Sequence, residues 1–170
     1  GMNGSFASED PLVSVARASL DARYANPRLL GRGGMGGVLA AQDTKRGHEV
    51  AVKIISPLLA DEVNVTRRFL REIRALQGLS HPGIVRILDV HEGARCPHYS
   101  MEIVRGADLR HHLKKAGTLP VPRVLDLFRQ LFDVLAFVHD RGIVHRDIKP
   151  ENIVIREGDR IKLLDFGVAH

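Results

Sequence analysis

The sequence has no tryptophan, two tyrosines and a single cysteine, and only 5% of its residues are aromatic. One cysteine, Cys96, excludes an internal disulfide and any metal site built from several cysteines. No apolar run approaches the ~18 residues needed to span a bilayer, and no positively charged start followed by an apolar stretch marks export. These absences predict a soluble, cytoplasmic chain without a membrane segment.

A modest excess of positive charge, +5 over 170 residues, favours anionic partners only weakly. The basic residues are spread along the chain with few aromatic residues among them, which argues against nucleic-acid binding. The densest basic cluster, at residues 67 to 74, has the spacing of a solvated helix face. A hydrophobic fraction of 44% at this length predicts one or two compact units with a sizeable core.

Residues 1 to 104 have the pattern of a sheet with one long helix. The spacing of apolar residues and the position of polar turns predict these elements. They are a helix from Asp10 to about residues 24 to 27, strands from residue 29 and at 38–41, 50–55, 84–90 and 98–104, and a helix at 62–77. The turn at 43–47 predicts that the strands on either side of it form an antiparallel hairpin.

Residues 105 to 170 are mainly helical in pattern. After Gly106 we expect a short helix at 108–115, a long helix at 121–139 and two short strands at 153–155 and 161–164. The long helix carries a continuous apolar stripe, made of Val124, Leu127, Phe128, Leu131, Leu135 and Val138. If the chain is complete as given, this stripe is exposed, which predicts self-association or marginal stability.

A glycine-rich segment lies between the first two predicted strands. Glycines 31, 33, 34 and 36 lack side chains, so backbone N–H groups there can approach phosphate oxygens closely. A strand, a polar turn and another strand follow, whereas a dinucleotide-binding fold would continue with a helix. The pattern predicts a phosphate-binding loop, and a flexible turn is the alternative.

Lys53 stands in an otherwise apolar strand, and an ammonium group in a half-buried strand needs an anion. Nucleotide phosphates could supply it, with Glu72 on the following helix orienting the amine through an ion pair. The alternative is a lysine that points to solvent from the polar face of the strand.

The segment from residue 145 to 167 carries the strongest chemical pattern. Asp147 is a candidate to accept the hydrogen bond of an attacking hydroxyl and take its proton. Lys149 can neutralise charge on a transferring phosphoryl group. Asn152 and Asp165 offer oxygen ligands to Mg²⁺. This combination predicts phosphoryl transfer.

These motifs, in this order, resemble the eukaryotic-like Ser/Thr protein kinases, particularly their bacterial members, over about residues 24 to 170. The matching features are the glycine-rich loop, Ala51-Val52-Lys53, Glu72, the segment 145–152 and Asp165-Phe166-Gly167. Lys149, two residues after Asp147, matches the Ser/Thr rather than the Tyr pattern. The resemblance also implies an adenine pocket. Met101 would lie at its back and Val38 and Ala51 would cover the ring. Glu102 and Val104 would offer backbone groups of the hinge.

The resemblance implies an α+β, protein-kinase-like fold: an N-terminal extension at 1–23, an N-lobe with a five-stranded antiparallel sheet and one main helix at 24–104, and a partial helical C-lobe at 105–170. ATP and Mg²⁺ are the expected cofactors, and a Ser or Thr hydroxyl of a protein is the expected acceptor. The sequence ends just after the Asp-Phe-Gly motif, without the activation segment and substrate platform of the family. A non-enzymatic nucleotide-binding or assembly module is therefore the main rival interpretation, and a small-molecule kinase is a lesser one.

Overall fold

The computed structural model describes residues 10–20, 22–33, 36–144 and 148–164. Its helices are α1 Pro11–Ser19, α2 Pro57–Ala60, α3 Val63–Gln77, α4 Leu109–Ala116 and α5 Val121–His139. Its strands are β1 Tyr24–Gly33, β2 Gly36–Asp43, β3 His48–Ile55, β4 Ile87–His91, β5 His98–Met101, β6 Ala107–Asp108, β7 Ile153–Arg156 and β8 Arg160–Leu163. Single 3₁₀ turns lie at Pro150–Asn152 and Glu157–Asp159. No helix within these ranges is both long and apolar enough to cross a membrane.

The chain divides into two compact units. Unit 1 comprises Gly1–Thr66 and Asp89–Met101, and unit 2 comprises Arg67–Leu88 and Glu102–His170. The lobe boundaries expected from the sequence, at residues 24 and 105, stay a prediction.

Unit 1 is built on a five-stranded sheet in the order β1-β2-β3-β5-β4. The predicted hairpin is confirmed, because β2 and β3 pair antiparallel from Gly36↔Ile55 to Asp43↔His48. Burial of alternate residues in β3 explains why it pairs with β2. Val50, Val52 and Ile54 point to the same face of the sheet and are almost fully buried there. The apolar face of the hairpin therefore forms the core of the unit.

Helix α1 begins where the sequence predicts, because the Asp10 carboxylate accepts a hydrogen bond from the Leu12 backbone N–H at 2.8 Å. Its predicted end near residues 24 to 27 is wrong, since α1 ends at Ser19 and Tyr24 already belongs to β1. The helix ends early because the Tyr24 side chain is buried in the sheet, where its hydroxyl donates a hydrogen bond to the Ser100 hydroxyl at 3.1 Å. An aromatic side chain with a buried hydrogen-bond partner is well suited to a strand.

Two predicted strands are shorter than expected. β4 begins at Ile87 rather than residue 84, because Val85 instead donates its backbone N–H to the Leu163 carbonyl at 2.9 Å. β5 ends at Met101, three residues before the predicted end at residue 104.

Unit 2 combines a three-stranded antiparallel sheet, in the order β6-β7-β8, with the long helix α5. The expectation that the stripe on α5 is bare is wrong: Leu127, Leu131 and Val138 are buried. They and Val134 of the same helix share a core cluster with Leu76, Ile84, Ile153, Ile155, Ile161 and Leu163.

The composition of the buried face also differs from the prediction. Val134 belongs to it, whereas Phe128 is 47% exposed. Residues 127, 131, 134 and 138 follow the spacing of one helical face, and Phe128 lies one residue off that face beside the exposed Phe132.

Candidate functional site

The predicted site residues of unit 1 that the structure describes share one face of its sheet. Residues paired across an antiparallel ladder point to the same side, as do residues two apart in a strand. The register pairs Gly31 with Val38, Val38 with Lys53, and Ala51 with Met101. Gly33 pairs with Gly36, and both lie two residues from a member of this set in their strands, so they belong to the same face. The sheet therefore brings together residues that are up to 70 positions apart in the sequence.

The other face of this part of the sheet is covered by α1. A Cβ added to Gly37 would overlap the Leu12 side chain, so the helix packs directly against the backbone of β2. Leu12, Val13 and Ala16 are the buried residues of α1. The N-terminal helix thus supports the glycine-rich strands from behind the predicted site face.

Two glycines of the loop have different surroundings. A Cβ at Gly36 would overlap the Ile54 carbonyl oxygen and lie 2.8 Å from the Ser56 backbone nitrogen, so no side chain fits there. A Cβ at Gly31 would meet no atom within 4 Å. Gly36 therefore lets β2 lie close against β3, while Gly31 leaves open space in which a ligand could approach the backbone.

Lys53 is partly buried between Val52 and Ile54, which are 0% and 1% exposed. It lies on the same face as Ala51, and its Cα pairs with Val38 on one side and Tyr99 on the other. Lys53 is thus carried by the central strand of the five-stranded sheet, and its place in a strand is as the sequence predicts. The expected Lys53–Glu72 ion pair stays a prediction, because the Glu72 side chain lies outside the described structure.

The segment after β5 offers backbone hydrogen-bonding groups. The Glu102 N–H donates to the Arg86 carbonyl at 3.0 Å, and the Glu102 carboxylate accepts from the Arg86 N–H at 2.9 Å. The N–H and C=O of Val104, which is partly buried, make no hydrogen bond to any other residue that the structure describes. A partly buried N–H and C=O that lack protein partners among the described residues can bind a ligand whose polar edge offers an acceptor and a donor.

Asn152 is held at the end of a 3₁₀ turn and is 6% exposed. Its backbone N–H donates to the Lys149 carbonyl at 3.0 Å, and its carbonyl accepts from the Leu164 N–H at 2.9 Å. The second bond connects Asn152 to the residue immediately before Asp165. Lys149 is exposed at the start of the same turn.

The remaining predicted site residues, Gly34, Asp147 and Asp165, lie outside the described residues. Among the residues that are described, no group of three or more His, Cys, Asp and Glu side chains could hold a metal ion. The expected magnesium ligands, Asn152 and Asp165, therefore stay a prediction.

The ion pair between Glu102 and Lys162 was missed from the sequence. The Lys162 side chain is only 10% exposed, and its ammonium group contacts the Glu102 carboxylate. One signal was available: Lys162 alternates with apolar residues in a strand, as Lys53 does. The partner could not be found, because 60 residues separate the two side chains in the sequence.

A second missed feature is a polar cluster at the start of β1. The Arg23 guanidinium donates to both oxygens of the Asp43 carboxylate at 3.2 Å and also pairs with Asp89. Burial opposes the charge on Asp43, but hydrogen bonds from Arg23 and from the Arg46 and Lys45 backbones outweigh it and hold the Asp43 pKa below its usual range. The hydrogen bond to Asp43 raises the Arg23 pKa further above its ordinary value.

Known proteins resemble this chain in sequence and in fold. The family model for the protein kinase domain matches residues 24–170. The chain is 40% identical over 153 residues to the serine/threonine-protein kinase pkn2 of Myxococcus xanthus and 37% identical over 164 residues to PknA of Mycobacterium tuberculosis. These alignments cover 88% and 94% of this chain but only 18% and 37% of the two relatives.

Solved structures give the same result for the fold. A crystal structure of the PknI kinase domain of Mycobacterium tuberculosis matches with a TM-score of 0.75 at 35% identity, over 87% of this chain and 59% of that one. The predicted kinase-like fold, with its five-stranded sheet and partial helical lobe, is confirmed. The chain belongs to the protein kinase domain family, and within it to the bacterial-type serine/threonine protein kinases.

Proposed function

We propose that this domain binds Mg-ATP and transfers the γ-phosphoryl group to a Ser or Thr hydroxyl of a protein substrate. The observation that carries the proposal is the shared sheet face of Gly31, Val38, Ala51, Lys53 and Met101. Such a face provides a phosphate-binding backbone, a cation and an apolar surface for a ring. Family membership supports the reaction class.

In this proposal each group has a defined task. The backbone at Gly31, Gly33, Gly34 and Gly36 approaches the phosphates, and Lys53, oriented by Glu72, neutralises them. Val38, Ala51 and Met101 contact the adenine ring, and the backbone of Glu102 and Val104 binds its polar edge. The open hydrogen-bonding groups of Val104 fit this role.

The residues of the second half carry out the transfer. Asp147 accepts the proton of the attacking hydroxyl, and Lys149 neutralises charge on the transferring group. Asn152 and Asp165 would hold Mg²⁺, which neutralises phosphate charge when bound. The short 3₁₀ turn and the Asn152–Leu164 hydrogen bond support this by tying Asn152 to the segment that leads to Asp165. We place the domain in the cytoplasm, where ATP is available.

Nucleotide binding is tested by thermal unfolding with and without Mg-ATP. A ligand present at 100 times its Kd stabilises a protein by about 2.7 kcal/mol, which is roughly 5–10 °C for a chain of this size. Lys53→Met and Asp165→Asn should abolish the shift. Lys45→Met, which removes an exposed lysine from the β2–β3 turn, should keep it. An equal shift in all variants would refute the assigned site.

Transfer is tested separately, by incorporation of labelled phosphate into a Ser/Thr protein acceptor. The proposed kinase predicts incorporation that Asp147→Asn reduces by at least about 100-fold. The rival module, which binds nucleotide but transfers phosphate poorly, predicts the thermal shift without incorporation. Self-association of such a module would appear in size-exclusion chromatography as a species larger than the monomer.

A further inference from the structure

A groove in unit 2 is rich in arginine. It has a volume of about 570 Å³ and is lined by residues 102–105 and by the β7–β8 hairpin. Its charged side chains are Glu102, Arg105, Arg156, Glu157, Arg160 and Lys162. Four basic groups against two carboxylates leave two positive charges in excess. A groove of this size is typical of sites that hold ligands larger than a single ion.

The arginines of this groove are not neutralised by the protein. Lys162 and Glu102 form an ion pair with each other. Arg105, Arg156 and Arg160, in contrast, make no ion pair or hydrogen bond through their side chains with any residue in the described ranges. The local excess of positive charge therefore comes from three exposed guanidinium groups.

The hairpin places two of these arginines side by side. Arg156 and Arg160 pair directly across β7 and β8, on either side of a turn in which Gly158 adopts a φ of +74°. Directly opposed side chains of a ladder have Cβ atoms about 5 Å apart, and like charges in this position repel. The turn holds two acidic residues, and neither forms an ion pair with these arginines. Both Asp159 oxygens accept hydrogen bonds from Arg123, at 3.0 and 2.9 Å, and the exposed Glu157 side chain pairs with no residue in the described ranges.

We propose that Arg105, Arg156 and Arg160 form a binding site for a phosphorylated peptide segment. A phosphoserine or phosphothreonine carries a charge of about −2 at neutral pH, which equals the local excess, whereas one carboxylate supplies half of it. Guanidinium groups match phosphate oxygens with paired, parallel hydrogen bonds. Ile103 and Val104 add apolar lining for the flanking peptide. The groove shares Glu102 and Val104 with the segment whose backbone is proposed to bind adenine, whereas the proposed phosphate contacts come from the arginine side chains alone.

The experiment measures fluorescence anisotropy of the full 170-residue chain, without nucleotide, against two labelled libraries of eleven-residue peptides. Both libraries are degenerate except for a central position, which is phosphothreonine in one and threonine in the other. We expect binding of the phosphorylated library only. Arg156→Gln/Arg160→Gln should weaken it by at least about tenfold, since two charge-assisted contacts are lost.

A matched control separates a specific site from net charge. Arg67→Gln/Arg71→Gln removes the same charge from two exposed arginines of α3 in unit 2 and should change the affinity less than about twofold. Arg156→Lys/Arg160→Lys keeps the charge but should not restore full affinity, because lysine cannot form the paired hydrogen bonds. Thermal unfolding checks that each variant folds.

Several results would overturn the proposal. These are equal binding of both libraries, equal loss in the two glutamine double variants, and full affinity in the lysine variant. Displacement of the peptide by an equal concentration of inorganic phosphate would assign the groove to a free anion. Tighter binding of a labelled single-stranded oligonucleotide would assign it to nucleic acid.

Discussion

Replacing Glu102 by leucine should destabilise unit 2, because it leaves the Lys162 ammonium group buried without its partner. The Lys162 side chain is 10% exposed and that of Glu102 is 32% exposed. The Glu102 carboxylate also accepts a hydrogen bond from the Arg86 N–H at 2.9 Å. One substitution therefore removes both an ion pair and a backbone acceptor next to the proposed hinge.

The magnitude follows from this burial. Loss of one partner from a fully buried pair costs about 3–5 kcal/mol, and partial exposure of Glu102 reduces the cost to about 2 kcal/mol. The lost acceptor of Arg86 adds about 1 kcal/mol. We expect a total near 3 kcal/mol for Glu102→Leu but only about 1 kcal/mol for Lys162→Met, because water can still solvate Glu102. In the double variant no buried charge remains, so its cost should be about 2 kcal/mol rather than the sum of about 4.

The assay is urea unfolding followed by far-ultraviolet circular dichroism, applied to both single variants and the double variant as a cycle. Glu157→Leu, which removes an exposed glutamate from the same hairpin, is the control and should stay within about 0.5 kcal/mol of the parent chain. Additive costs in the double variant would refute the reasoning, since they would show that Lys162 does not depend on Glu102.

Three further predictions concern the remaining parts of the fold. The Asp43 pKa is lowered in the folded chain, so the stabilising contribution of Asp43 is present above about pH 4 and is lost as the pH falls through the folded pKa. Arg23→Met should flatten this dependence of stability on acid pH. Urea-unfolding curves of the parent chain that do not change between pH 3 and 7 would contradict the prediction. Gly36→Ala should cost about 1–3 kcal/mol in urea unfolding, because an added Cβ overlaps a backbone carbonyl of β3, and a neutral effect would show that the strands can separate. Leu131→Ala should cost about 2–5 kcal/mol, whereas Phe132→Ala, one residue along α5 and 61% exposed, should cost far less; equal costs would place both side chains in the core.

Local patterns were sufficient to predict most elements of this protein. The limits of α5 and the hairpin of β2 and β3 follow from apolar periodicity and a polar turn, and both are as predicted. The end of α1 was wrong because Tyr24 is fixed by a hydroxyl 76 residues away, which no local pattern shows. The prediction of a bare stripe on α5 was wrong for a similar reason, since its cover comes from distant parts of the sequence: Leu76 and Ile84 precede the helix, and β7 and β8 follow it.

The sequence by itself determined the family and the chemical groups, because the order and spacing of short motifs are local properties that survive without a structure. It placed Gly31, Lys53 and Met101 in one site only through resemblance. The tertiary structure decided that they share a sheet face, since strand register converts distant positions into neighbours. It alone revealed the partner of Lys162 and the unneutralised Arg156 and Arg160, because charge pairing depends on which side chains folding brings into contact.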